Sequence, residues 1–139
     1  MNQQKNIEQI QLKSNVIINP EELAIIFNDS GIKRPTDDLP RLKQMLENAD
    51  ILISAWDGDK LVGIARAITD FSYCCYLSDL AVDRNYQKRG IGKALIQSVQ
   101  EQISEEVALI LLASPIAMDY YPHIGFKKIE NGYSIPRKK

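Results

Sequence analysis

The chain has 139 residues, 45% of them hydrophobic and 25% charged, a balance that suits one compact globular domain and excludes a disordered tail or a fibre. Seventeen Lys and Arg against eighteen Asp and Glu leave a formal net charge of -1, which withholds the basic footprint of a protein that grips nucleic acid through phosphates. No apolar run approaches the roughly 18 residues needed to cross a bilayer, and residues 1–6 lead into no signal-peptide apolar block, so the expectation is a cytoplasmic protein with neither membrane nor nucleic acid as partner.

Taken in order, the chain first offers a helix start at Asn19-Pro20-Glu21-Glu22: an Asn cap, Pro in the first turn and an acid three residues after the cap, with Leu23, Ile26 and Phe27 on one face. Gly31 stops that helix, and a second helical pattern follows residues 35–37, with Leu39, Leu42, Met45 and Leu46 at helical spacing. Two short helices are therefore expected before the sheet. The period changes at Ile51. Residues 51–56, the turn Asp57-Gly58-Asp59-Lys60 and residues 61–68 read as a β-hairpin, and residues 73–82 as a third strand.

Cys74 and Cys75 are adjacent on that strand, so their side chains point to opposite faces, and they read as small hydrophobes in a reducing compartment. With one His and no Cys cluster, a structural zinc site lacks its usual ligands, and no metal is expected. Ile91, Leu95, Ile96, Val99 and Ile103 mark a long amphipathic helix beginning near Gly90. The apolar run 107–113 reads as a strand buried on both faces. A short helix around 116–121 and two last strands near 126–129 and 133–135 complete an α+β order with a strand, helix, strand core.

The stretch that carries chemistry is Leu80-Ala81-Val82-Asp83-Arg84-Asn85-Tyr86-Gln87-Lys88-Arg89-Gly90-Ile91-Gly92-Lys93. A strand runs into a Gly-containing turn and then a helix, whose first turn has unsatisfied N–H groups and about half a positive charge of dipole, while glycines let a phosphate oxygen approach the backbone. Lys88, Arg89 and Lys93 add positive charge at the same place. A dinucleotide fingerprint would need Gly where Leu95 stands, and a Walker loop would need Gly at Gln87 and Ser or Thr at Ala94, so neither fits.

Gln87, Gly90 and Gly92 form a Gln-x-x-Gly-x-Gly pattern that resembles the acetyl-CoA pyrophosphate loop of the GNAT N-acetyltransferase superfamily. Downstream, Ala117-Met118-Asp119-Tyr120-Tyr121-Pro122-His123-Ile124-Gly125-Phe126 resembles that family's Ala-x-x-x-Tyr-x-x-x-Gly-Phe segment. The resemblance covers about residues 51–130. It implies the GNAT acyltransferase fold: a mixed, mostly antiparallel central sheet flanked by helices, in which the strands ending at Val82 and Ala113 splay apart to admit the pantetheine arm, with residues 1–139 as a single domain.

The same resemblance implies an N-acetyltransferase that uses acetyl-CoA as co-substrate, with no metal, and moves its acetyl group to a primary amine of a small molecule by direct attack. A neutral amine attacks the thioester, the developing oxyanion needs a positioned donor, and the departing thiolate needs a proton. Carried over residue by residue, backbone N–H groups near Leu80, Ala81 and Val82 hold the acetyl carbonyl and pantetheine, and Gln87, Lys88, Arg89, Gly90, Ile91, Gly92 and Lys93 hold the pyrophosphate. Ser114 stands where many members place an Asn that contacts pantetheine. Tyr121 matches the tyrosine that protonates the thiolate, and an ordinary phenol with a pKa of about 10 carries that proton at neutral pH. Pro122 disfavours helical geometry at Tyr121 and is expected to re-aim it.

Asp79 is either a proton acceptor for the amine or a hydrogen-bonded structural acid, and the base is unassigned. His123 reads as a solvated loop residue and Lys33-Arg34 as surface charge, while Tyr73 and Tyr76 either line the acceptor channel or pack on the sheet. In the acceptor loop, residues 28–38, Asp29, Asp37 and Asp38 would attract an amine whereas Lys33 and Arg34 would hold a carboxylate, so the two sets point to different substrates. Two other readings are a catalytically silent acyl-CoA-binding or sensing module and an enzyme acting on a protein N-terminus or lysine. Dimers are common in the family, so a homodimer is compatible with the resemblance.

Overall fold

The computed structural model describes residues 9–139. Among them, five strands form one sheet in the order β1-β2-β3-β4-β5: β1 (Ile10–Ser14), β2 (Ile51–Asp57), β3 (Lys60–Thr69), β4 (Cys74–Val82) and β5 (Ala108–Leu111). The first four pair antiparallel and β5 joins β4 in parallel. Helices α1 (Pro20–Ser30) and α2 (Leu39–Glu47) lie between β1 and β2, α3 (Ile91–Gln100) connects β4 to β5, and α4 (Tyr120–His123) is a single turn. The parallel step needs a crossover, and α3 supplies it.

Period-2 alternation divides the sheet between two cores. Ile51, Ile53, Ala55, Ala65 and Leu77 pack with Ile91, Leu95, Ile96 and Val99 of α3. Leu52, Ile64 and Ala81 face the other way, against Leu23, Ile26 and Phe27 of α1 and Leu42 of α2. The helix ends follow local chemistry. Asn19 and Glu22 close a capping box at the start of α1. Gly31, at φ 88°, donates back to Phe27 and Asn28 and ends it.

Four expectations are corrected. β1 precedes the helices, because residues 10–14 pair along their whole length with β2. β5 is an edge strand with every second residue exposed, since β4 covers one side and, among the described residues, no strand pairs with the other. The strands expected at 126–129 and 133–135 do not form: that stretch carries neither helix nor strand, and Ile129, Tyr133 and Ile135 are exposed. Beyond Phe126 the apolar side chains of this stretch stay exposed, and a two-stranded ribbon with so little burial has little to set against its ordering entropy. Finally, the helix expected at 116–121 is split into a 3-10 turn at Pro115–Ala117 and the single turn of α4.

Candidate active site

β4 pairs with β5 only from Cys74 to Leu77, opposite Ala108 to Leu111. At that point the register with β3 also shifts: Ala67 faces Leu77 and Arg66 faces Asp79, which leaves Ser78 as an extra residue in β4. A bulge of this kind bends its strand and strengthens the local twist. Beyond it, residues 78–82 stay on β3 while the chain after Leu111 departs. The expected splay is therefore present, between β4 and the edge strand, and the bulge at Ser78 is its physical origin. It leaves alternate backbone N–H groups of residues 78–82 without a β5 partner.

The wedge holds a cavity of about 180 Å³ lined by residues from four segments: Ile32, Lys33 and Arg34 of the α1–α2 loop; Leu77, Ser78 and Leu80 of β4; Leu111, Leu112, Ala113 and Ser114 at and after the end of β5; and Tyr121 of α4. Of the residues singled out in the sequence, Leu80, Ser114 and Tyr121 thus meet in one wall. Ala81 turns its side chain into the α1–α2 core, and Val82 leans toward Gly92 of α3. Tyr73 and Tyr76 do not line this cavity. His123 ends α4, exposed.

Tyr121 is fixed by the turn that follows it. The Phe126 and Gly125 amides donate to the carbonyls of Tyr121 and Pro122 respectively, and Gly125 sits at φ 100°. This is a Schellman closure of α4, and the apolar contact that accompanies such closures is the Phe126 ring edge-on to Tyr121 at 5.5 Å between centroids. The spacing Tyr-x-x-x-Gly-Phe is what that closure requires. Pro122 does not re-aim Tyr121 out of the helix: it falls in the first turn of α4, where the N–H that proline lacks has no helical partner anyway. Burial raises the pKa of the Tyr121 phenol, while Arg34 opposes that shift, so the hydroxyl keeps its proton at neutral pH.

The loop before α3 has the form expected of an anion cradle. Gly90 caps α3 at φ 85° with no side-chain bond to the helix, so the first N–H groups of the helix are left for another acceptor. Lys88 is also left-handed, at φ 66°. A Cβ at Gly92 would lie 3.0 Å from the Tyr120 hydroxyl, so any larger residue would have to displace the end of that side chain. Lys88 and Lys93 are exposed and make no ion pair among the described residues. Arg89 lies over the Tyr86 ring at 5.3 Å. The Ile91 side chain is buried in the α3 core and leaves only its backbone at the cradle. Gln87 acts on the protein itself: its amide donates to Val82 O at 2.8 Å and to Ser30 O at 3.4 Å, tying the loop to the end of β4.

Sequence reasoning missed the polar cluster behind the cavity. Asp79 is buried and accepts from Arg66 Nε and Arg34 Nε, each at 2.5 Å. Arg66 also donates to Ser78 Oγ, and Arg34 donates through Nη2 to Ser78 O and through Nη1 to Lys33 O. Asp79 is thereby a structural acid with both oxygens engaged by guanidinium groups, and Arg34 is not the free surface charge expected of it. The available signal was Arg66, a lone charge within the apolar run of β3.

This chain belongs to the GNAT acetyltransferase family: the family model described as "Acetyltransferase (GNAT) domain" matches residues 24–134. An "Uncharacterized N-acetyltransferase ycf52" of Pyropia yezoensis is 34% identical over 130 residues, covering 88% of this chain and 73% of the relative. A probable acetyltransferase from meticillin-resistant Staphylococcus aureus superposes with a TM-score of 0.78 at 22% identity, over 92% of this chain and 99% of that one. The aminoglycoside N-acetyltransferase AAC(6')-Iy, solved in complex with CoA, shares the fold with a TM-score of 0.67 at 19% identity, over 94% and 95% of the two chains. Among the described residues no helix is long and apolar enough to cross a membrane.

Proposed function

We propose that this protein transfers the acetyl group of acetyl-CoA to a primary amine of a small molecule. The observation that carries this reading is the cavity at the β4–β5 splay, walled by Leu80 and Tyr121, together with the Gly90-capped start of α3, whose first N–H groups receive no side-chain cap. The donor set fits acetyl-CoA. Helix N–H groups with Lys88 and Lys93 suit a pyrophosphate, and the unpaired edge of residues 78–82 suits an amide-bearing arm and a carbonyl oxygen.

Bound there, acetyl-CoA supplies an acyl group already activated as a thioester. The chain does the rest. Backbone N–H groups of residues 78–82 orient the carbonyl and stabilise negative charge as it develops on the oxygen. Tyr121 Oη holds the proton that the departing sulfur takes up, and the proton released by the acylated nitrogen passes through solvent and restores the phenol. Because Asp79 is engaged by two guanidinium groups, it is not the base in this reading, and the amine enters in its neutral form. The two thiols, Cys74 exposed and Cys75 buried, suit the reducing conditions of a cytoplasm.

The test is amine-dependent release of CoA thiol from acetyl-CoA across monoamines, amino acids, polyamines and a lysine-bearing peptide, with the acetylated product identified by mass. Release with a small amine supports the reading. Release confined to the peptide replaces it with a protein acetyltransferase, and acetyl-CoA binding without release in any arm replaces it with a silent binding module.

A further inference from the structure

Two opposed sets of charges lie between Asp29 near the end of α1 and Asp38 at the start of α2, and the fold separates them. Asp38 caps α2, accepting from the Arg41 amide, and none of Asp29, Asp37 and Asp38 lines the cavity. Lys33 and Arg34 do line it. No carboxylate contributes to that lining, and the one directly behind it, Asp79, faces two guanidinium groups. One negative charge against Arg34 and Arg66 leaves an excess of one positive charge, to which the Lys33 ammonium adds a second.

The donors on that wall are not exhausted. Arg34 spends Nε on Asp79, Nη1 on Lys33 O at 2.6 Å and Nη2 on Ser78 O at 2.9 Å, which leaves one N–H on each terminal nitrogen. Two of these contacts, to Asp79 and Ser78, anchor the guanidinium to β4 and the third ties it to its own loop, so the remaining donors are held in place before any ligand arrives. Lys33 is exposed and makes no ion pair among the described residues. A fixed guanidinium edge beside a free ammonium is a receptor for a carboxylate. The same wall opposes a polycation, and it favours the neutral form of an amine brought against it.

Resting on the acetyl-transfer reading above, we infer that the acceptor carries a carboxylate close to its amine, as an α-amino acid does, and that Lys33 and Arg34 receive it. The carboxylate fixes the acceptor by two points, so the amine is presented toward the β4 edge and Tyr121 rather than being free to rotate.

The experiment compares alanine, leucine, phenylalanine and glutamate with their α-carboxamides as acceptors, at a pH high enough that both amines are largely neutral. The acids are expected to exceed the amides at least tenfold in kcat/KM for one or more side chains, and added salt should shrink the ratio. Lys33→Glu should lower that acid-to-amide ratio by a further tenfold or more and Lys33→Ala by less, with melting curves of each variant to show that it is folded. A parallel measurement needs no turnover: in the presence of CoA, the N-acetyl amino acids should bind at least tenfold more tightly than the N-acetyl amino acid amides. Amides that match or surpass the acids, or a ratio that Lys33→Glu leaves unchanged, overturn the inference while leaving acetyl transfer intact. If no amine releases CoA, the transfer reading fails, and the binding comparison alone decides whether the wall selects a carboxylate.

Discussion

Replacing Asp79 with Asn keeps the shape of the side chain and removes the charge that two arginines share. Arg66 is the exposed nerve of this change: its side chain is 9% accessible, against 30% for Arg34, so it cannot turn to water when its partner is neutralised. Leaving one member of a buried ion pair uncompensated costs about 3–5 kcal/mol. For a chain of 139 residues the average unfolding entropy converts 1 kcal/mol into roughly 3–4 °C, so the melting temperature should fall by roughly 10–17 °C. Thermal and urea unfolding monitored by circular dichroism measure this directly. In the Asp79→Asn background, Arg66→Met should cost much less than it does alone, because it removes the stranded charge, with a coupling of about 1 kcal/mol or more in the double-mutant cycle. Activity assayed well below the lowered melting temperature should keep its pH profile. A variant that melts within about 3 °C of the parent yet loses turnover and the acid limb of its profile would show Asp79 to be a proton acceptor, and the structural assignment would fall.

At the cradle, Gly90→Asp and Gly92→Asp each place a side chain and a negative charge at the start of α3, and Gly92→Asp also meets the Tyr120 hydroxyl; both should abolish the rise in melting temperature that acetyl-CoA gives the parent, each judged against its own ligand-free melt. Tyr121→Phe keeps the packing on Phe126 and should lower kcat by roughly 10²-fold while acetyl-CoA affinity stays within a few-fold, whereas Tyr120→Phe should leave turnover nearly unchanged; parental turnover by Tyr121→Phe under chemistry-limited conditions refutes the role. Because the Tyr121 pKa is raised in the folded state, its contribution to stability is complete below the ordinary phenol value of about 10 and is lost as pH rises through the raised value, so kcat should show no alkaline fall from this group until above about 10. Gly125→Ala meets no neighbouring atom within 4 Å, so its cost is the positive φ alone, about 1–2 kcal/mol, read as a drop of roughly 3–7 °C together with a loosened Tyr121–Phe126 contact in near-UV circular dichroism.

What the sequence determined by itself are features written within a few residues of one another. The Asn19–Glu22 box, the Gly31 stop, the turn at Gly58 and the glycine at the start of α3, Gly90, were legible because each is a backbone requirement met by its own neighbours. The Tyr121 to Phe126 spacing belongs with them, being the length of one Schellman closure. Tertiary structure decided whatever depends on which distant segment arrives. Residues 10–14 became a strand because β2 offered an edge, and residues 133–135 did not, for want of anything to pair with or cover. Arg34 and Asp79 lie 45 positions apart, and only the packing of the α1–α2 loop on β4 turned Arg34, one of two apparent surface cations, into an anchored part of the cavity wall. The bulge at Ser78 is likewise a register property of two strands, invisible in either alone, and it opens the cavity that gives the local signals a site to serve.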